Sequence, residues 1–155
     1  PKWKSEFDKA RALMERDQNI TPIREFGTNY AEFYRDGQNA IKKLLVERQG
    51  QVAGAFYKDG LGDIDLVWGE VTDAIKHKGY GLSHILDKRV AEFMEQGLSK
   101  EEAEAKAIEL INKLPDIIKN GQIEQNGGRF RLQKDNYISF SDYKMNQLKH
   151  KYVIV

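Results

Sequence analysis

Few groups in this chain can do chemistry, and His84 is the most informative of them. The sequence has three histidines and no cysteine. Without a thiol there is no cysteine nucleophile, no thiolate zinc site and no disulfide scaffold. His77 and His84 stand seven positions apart, and no His-Glu-x-x-His is present, so the histidines give no zinc pattern. His84 falls in the first turn of a predicted helix, off the apolar stripe of Leu82, Ile85 and Leu86, with Asp87 and Lys88 at i+3 and i+4. The positive end of the helix dipole there favours a neutral imidazole. A neutral imidazole takes a proton as a general base, and its protonated form donates one. Position alone leaves open a solvent-exposed helix histidine with no partner in reach.

The second chemical feature is basic. Between Lys119 and Val155 seven Lys and Arg stand against three acids, a local excess of +4 in a chain whose overall charge is only +1. Nucleic-acid affinity would have to come from such a local patch. Alternation puts Arg129 and Arg131 on one strand face and Phe130 and Leu132 on the other. Tyr137, Ser139 and Ser141 fall on the polar face of the next expected strand. Guanidinium, hydroxyl and phenol groups on one sheet face suit a phosphate backbone and a stacked base. An ordinary solvated face of an antiparallel sheet fits the same pattern. Asp63 and Asp65 share a strand face, where they could orient a His or Arg, cap turns, or contribute to a carboxylate metal site. Trp68 shares its face with Ile64 and Leu66 and reads as core rather than as a stacking platform. No Walker loop, Rossmann fingerprint or Gly-x-Ser-x-Gly elbow is present.

These residues need elements to position them. A helix is expected from Ser5 to about Gln18, with Phe7, Ala10 and Met14 on one stripe. A second is expected from an Asn29–Glu32 capping box through Leu45 to a stop at Gly50. Gln51–Tyr57 and Ile64–Trp68 read as a strand pair. Helices follow from Leu82 to about Gln96, from a capping box at Ser99, and for one short turn after Pro115. Strands over 129–132 and 137–141 and a last strand at 151–155 complete the chain, with turns at 125–128 and 134–136. The segregation of helices and strands predicts α+β: N-terminal and central helices packed on one face of an antiparallel sheet. No apolar run approaches the ~20 residues a membrane span needs. The polar start at Pro1 and the apolar finish at Val155 read as cut ends of a longer polypeptide.

Three stretches in series carry a family resemblance: Gly54-Ala55-Phe56-Tyr57, Gly62 to Gly69, and Gly81-Leu82-Ser83-His84-Ile85. With Pro22 to Gly27, Leu114 to Gly121 and Gly128-Arg129-Phe130-Arg131-Leu132, they resemble the barnase/colicin E5-type endoribonucleases of phage and mobile-element polyvalent proteins. That group joins barnase, EndoU, colicin E5 and RelE. The resemblance runs from about Thr21 to the end, so 1–20 reads as a helical extension and 21–155 as the ribonuclease domain, truncated at its C-terminus. It implies helices on one sheet face and RNA on the other. It also implies a metal-independent endoribonuclease without cofactor, using the ribose 2′-hydroxyl as nucleophile and leaving a 2′,3′-cyclic phosphate. His84 would be the base or acid. Arg129, Arg131 and Lys134 would hold the phosphate, with help from Ser139. Lys88, Arg89, Tyr137, Lys144 and Lys151 are the expected substrate-binding residues.

The family's last strand usually runs on into a Thr/Ser-containing segment followed by an aromatic. Here the sequence stops where that segment should begin, so a folded fragment of weak or no activity is expected. The partners implied are RNA, a protein inhibitor or immunity partner, and the rest of a larger toxin or mobile-element polypeptide acting in the cytosol. A non-catalytic RNA- or protein-binding module on the same fold is the alternative. A third reading is a structural domain docked through its N-terminal helices.

Overall fold

The computed structural model describes residues 3–10, 20, 22–126, 129–133, 145–148 and 151–154. Residues 3–10 form helix α1, the described part of the first expected helix, and Trp3 and Phe7 on it are exposed.

The second expected helix is shorter than its periodicity implied. Two 3-10 turns, Arg24–Phe26 and Ala31–Phe33, precede it, and α2 spans only Gly37–Glu47. Asn29 is not its cap. Asn29 Oδ1 accepts from Ala53 N–H at 2.8 Å, and Asn29 bridges to Gln51. Arg35 sits at φ 62°, a left-handed backbone that interrupts any helix through it. Asp36 is the cap, and a side chain at Gly37 would run into the Phe56 ring. Tyr30 and Phe33 still pack on the core, so the helical spacing of apolar residues outlasts the helix.

Strands β1 (Gln51–Lys58) and β2 (Gly62–Val67) form the expected antiparallel pair. Their register breaks between Val52 and Phe56, where Gly54 takes φ 64°. The amide at this irregularity donates to buried Asp65 Oδ1 at 2.8 Å. A short hairpin, β3 (Glu70–Asp73) and β4 (Lys78–Tyr80), follows as a separate two-stranded sheet. Helices α3 (Gly81–Glu95), α4 (Lys100–Ile111) and α5 (Leu114–Asn120) lie where the sequence put them. Ser99 Oγ accepts from Glu102 N–H at 3.2 Å, as the capping box requires.

The remaining strands are β5 (Gln122–Asn126), β6 (Arg129–Gln133), β7 (Met145–Leu148) and β8 (Lys151–Ile154). The large sheet has the order β1-β2-β8-β7-β6-β5. The fold is thus α+β with a mostly antiparallel sheet, as expected. One pair departs from the expected meander: β2 and β8 are parallel, because the chain returns to β2 only after a long helical excursion. The strand expected over 137–141 lies outside the described residues.

Helices α2 to α5 share one core with the sheet. Ile41, Leu44, Leu82, Ile111, Leu114 and Ile117 are fully buried there with Ile64 and Leu66. The opposite face is not open at the sheet centre. Val67 and Val153 are buried there against Ile23, with Phe26 and Tyr80 around them. Gln51 anchors that covering segment. Its side-chain amide donates to the Ile23 and Gly27 carbonyls at 2.6 and 2.9 Å and accepts from Ile23 N–H at 3.1 Å. The sheet face implied for RNA is therefore closed at β2 and β8. Among the described residues no helix is long and apolar enough to cross a membrane.

Candidate active site

The most chemically equipped cleft lies between the β3–β4 hairpin and α3 and encloses about 500 Å³. The hairpin turn is built locally. Asp73 Oδ1 accepts from the amides of Ile75 and Lys76, each at 3.0 Å, an Asx turn that reverses the chain. His77 closes the turn at φ 52°. Lys76, His77 and Lys78 thereby reach the cleft from the hairpin side. From α3 come His84, Lys88, Glu92 and Glu95, at helical spacings that keep them along one flank.

The two histidines differ in their partners. His77 Nδ1 lies 2.8 Å from Asp87 Oδ2, so the hairpin is tied to α3 beside His84. His84 Nδ1 is buried and meets no hydrogen-bond partner among the described residues, leaving Nε2 as the nitrogen for the cleft. Burial, first, and the Lys88 ammonium hold the His84 imidazole below the usual histidine value of 6.5, while Asp87 pulls the other way. The shift runs toward the neutral imidazole, with burial as its main cause. A half-buried histidine, a second histidine held by a carboxylate, and three lysines can move protons and stabilise an anion in one cleft.

The structure brings together only part of the expected site. His84 and Lys88 line this cleft. Arg89 is not in its lining: its side chain is 3% exposed, and Nη1 lies 3.1 Å from Oε2 of Glu92 at the cleft wall. Arg129 and Arg131 occupy alternate positions of β6, paired with Asn126 and Glu124 of β5. Strands β7 and β8 separate β6 from β2, and the described lining of the histidine cleft comes from the β3–β4 hairpin and α3. Lys151 opens β8 opposite Leu148 of β7. Lys134, Tyr137, Ser139 and Lys144 lie outside the described residues.

Other sequence expectations find partners elsewhere. Asp63 Oδ1 meets Arg35 Nη2 at 2.5 Å, so this carboxylate orients an arginine. That guanidinium also stacks on Tyr34 and Tyr57, at 5.0 and 4.5 Å from the ring centroids. Among the described residues no group of three His, Asp or Glu side chains could hold a metal ion. Sequence reasoning missed the pairing of His77 with Asp87. The local signal was the basic triplet Lys76-His77-Lys78 directly before Gly79-Tyr80-Gly81.

A helix histidine in a lysine-lined cleft stands here on an α+β fold with a mostly antiparallel sheet. The family model of the phage barnase–EndoU–colicin E5/D–RelE like nuclease 1 matches residues 55–154, and the chain belongs to that family. It carries a nuclease domain of the barnase–EndoU–colicin superfamily. The match takes in the whole histidine cleft. Residues 22–54 precede it yet belong to the same core through Ala40, Ile41 and Leu44. No curated protein and no solved structure matches.

Proposed function

We propose that this domain is an endoribonuclease that cleaves RNA by attack of the ribose 2′-hydroxyl on the adjacent phosphate. The observation that carries this reading is the cleft that unites a half-buried His84, the His77–Asp87 pair and Lys76, Lys78 and Lys88. His84 takes the proton from the 2′-hydroxyl, and the freed O2′ bonds to phosphorus. The P–O5′ bond breaks, and O5′ leaves with a proton supplied by the protonated His77 imidazole, which Asp87 orients through Nδ1. The lysines offset the charge that builds on the phosphorane oxygens. The products are a 2′,3′-cyclic phosphate and a 5′-hydroxyl, and the bookkeeping of protons and bonds needs no metal. Arg129, Arg131, Lys134 and Ser139 are proposed to hold RNA phosphates outside the cleft. Tyr137, Lys144 and Lys151 are proposed to add further RNA contacts. The setting proposed is an effector module of a larger mobile-element protein, acting on RNA in the cytosol and restrained by a protein inhibitor.

The test is incubation of the wild-type chain and His84→Ala with total tRNA and rRNA in EDTA, followed by end-group analysis. Cyclic phosphate ends that vanish in the variant are expected. RNA that stays intact but binds with a steep salt dependence would replace this reading with a non-catalytic binding module.

A further inference from the structure

A second cleft, of about 450 Å³, shares the β4–α3 junction with the histidine cleft. Consecutive residues divide between the two. Gly79 and His84 line the first, while Tyr80 and Ser83 line the second. The clefts thus open on different sides of the same stretch of backbone.

The second cleft is aromatic and polar at once. Phe26, Trp68 and Tyr80 supply flat faces, and the Phe26 and Tyr80 ring centroids lie 5.9 Å apart at an interplanar angle of 42°. The Arg48 guanidinium stands 5.5 Å over the Trp68 ring. Glu70 is exposed at the rim, and the Ser83 hydroxyl lies 3.5 Å from the Tyr80 carbonyl. Its walls are fixed by tight backbone approaches. Trp68 N–H donates to Gly50 O at 3.0 Å, and Ser83 N–H donates to Trp68 O at 2.8 Å. Gly69, at φ 70°, has no room for a side chain, because Tyr80 O fills that space. Trp68 packs on the core, as its strand face predicted, but it is only partly buried and also lines this cleft.

We propose that this cleft is a nucleobase subsite that holds a base of the RNA next to the scissile phosphate. This rests on the ribonuclease reading for its biological meaning, but the binding itself is testable without cleavage. The base would stack on the Trp68 and Tyr80 faces beside the Arg48 guanidinium, the way proteins hold unpaired RNA bases. Its edge would donate N–H to the Glu70 carboxylate and meet the Ser83 hydroxyl, giving base preference.

The chain has two tryptophans, Trp3 and Trp68. Trp3 is 69% exposed on α1, so Trp3→Phe leaves Trp68 as the sole reporter. Titration of this variant with AMP, GMP, CMP and UMP, corrected for their absorbance, should quench Trp68 saturably and unequally among the four. Ribose 5-phosphate, which lacks the base, should leave the signal unchanged. Arg48→Asn keeps a residue that tolerates the left-handed backbone at this position, φ 54°, and should weaken binding by about fivefold or more, the loss of one stacking contact. Glu70→Gln should change the order of base preference. No quenching by any mononucleotide, or equal quenching by ribose 5-phosphate, overturns the subsite even if RNA is cut in the histidine cleft. Selective quenching in a chain that never cuts RNA keeps the subsite and removes the ribonuclease reading instead.

Discussion

His77 Nδ1 and Asp87 Oδ2 are 2.8 Å apart, a contact that joins the β3–β4 hairpin to α3 within one helical turn of His84. Both side chains remain partly exposed, at 40% and 29%, so the pair adds little stability, under about 1 kcal/mol. Its expected effect is on the reaction. His77→Ala should lower kcat by about 100-fold, and Asp87→Asn by about tenfold, with KM little changed. Steady-state kinetics on a short RNA, alongside thermal melts, check this. A fall in Tm with kcat intact would make the pair structural.

The depressed His84 pKa sets a pH dependence with a definite sign. In the unfolded chain this histidine protonates near 6.5, while in the fold it stays neutral to lower pH. The unfolded state therefore binds more protons in that window, and stability is lost as pH falls below about 6.5. Urea unfolding at pH 7.5, 6.5 and 5.5 should show the loss, and His84→Gln should flatten it. The acid limb of kcat/KM should likewise fall below pH 6.5, since the base works in its neutral form.

Lys76, Lys78 and Lys88 line one cleft, whereas Arg129 and Arg131 sit across the sheet on β6. Removing a lysine that meets RNA phosphate should lower the slope of log K against log salt by about 0.7 per contact. Filter binding of RNA by His84→Ala, with and without Lys76→Gln and Lys78→Gln, measures this. The same comparison with Arg129→Gln and Arg131→Gln shows whether the RNA path crosses β6. An unchanged slope would remove those arginines from the interface.

Gln51 is fully buried and makes three hydrogen bonds to the segment that covers the far sheet face. Gln51→Ala leaves the Ile23 amide and the Gly27 carbonyl without their partners, while the Ile23 carbonyl keeps the Phe26 N–H, and should cost about 2–4 kcal/mol. Chemical denaturation reads the loss directly. A change below about 0.5 kcal/mol would show that the segment is held by its apolar contacts alone.

Gly54→Ala should be as costly, by about 2–4 kcal/mol. At φ 64° the new methyl is strained, and it would collide with the Tyr34 ring. Because the Gly54 amide serves Asp65 and its carbonyl serves Arg35 N–H, the damage should spread to both strands of the hairpin. Amide exchange at β1 and β2 would report it.

Local signals carried much of the fold. Helices α3, α4 and α5 were legible because caps, apolar stripes and Pro115 act within one or two turns of chain. Strands β1 and β2 were legible from their run of Val, Ile and aromatics. The β3–β4 hairpin was not, since its four-residue strand Glu70–Asp73 alternates exposed and half-buried positions and leaves no hydrophobic signature. Strand β5 was hidden for a similar reason, reading as a polar approach to a Gly-rich turn.

By itself, then, the sequence determined the α+β class, the helix that carries His84, and the family resemblance from motifs that are contiguous in the chain. Tertiary structure alone decided that Asn29 serves β1 rather than capping a helix, that Arg89 is buried and paired with Glu92, and that β8 lies parallel to β2. It alone placed His77 and Asp87 beside His84, and Trp68 in a cleft as well as on the core. The physical reason is range. Capping and periodicity are settled between residues a few positions apart, whereas side-chain partners are chosen across the core by which surfaces the fold brings into contact.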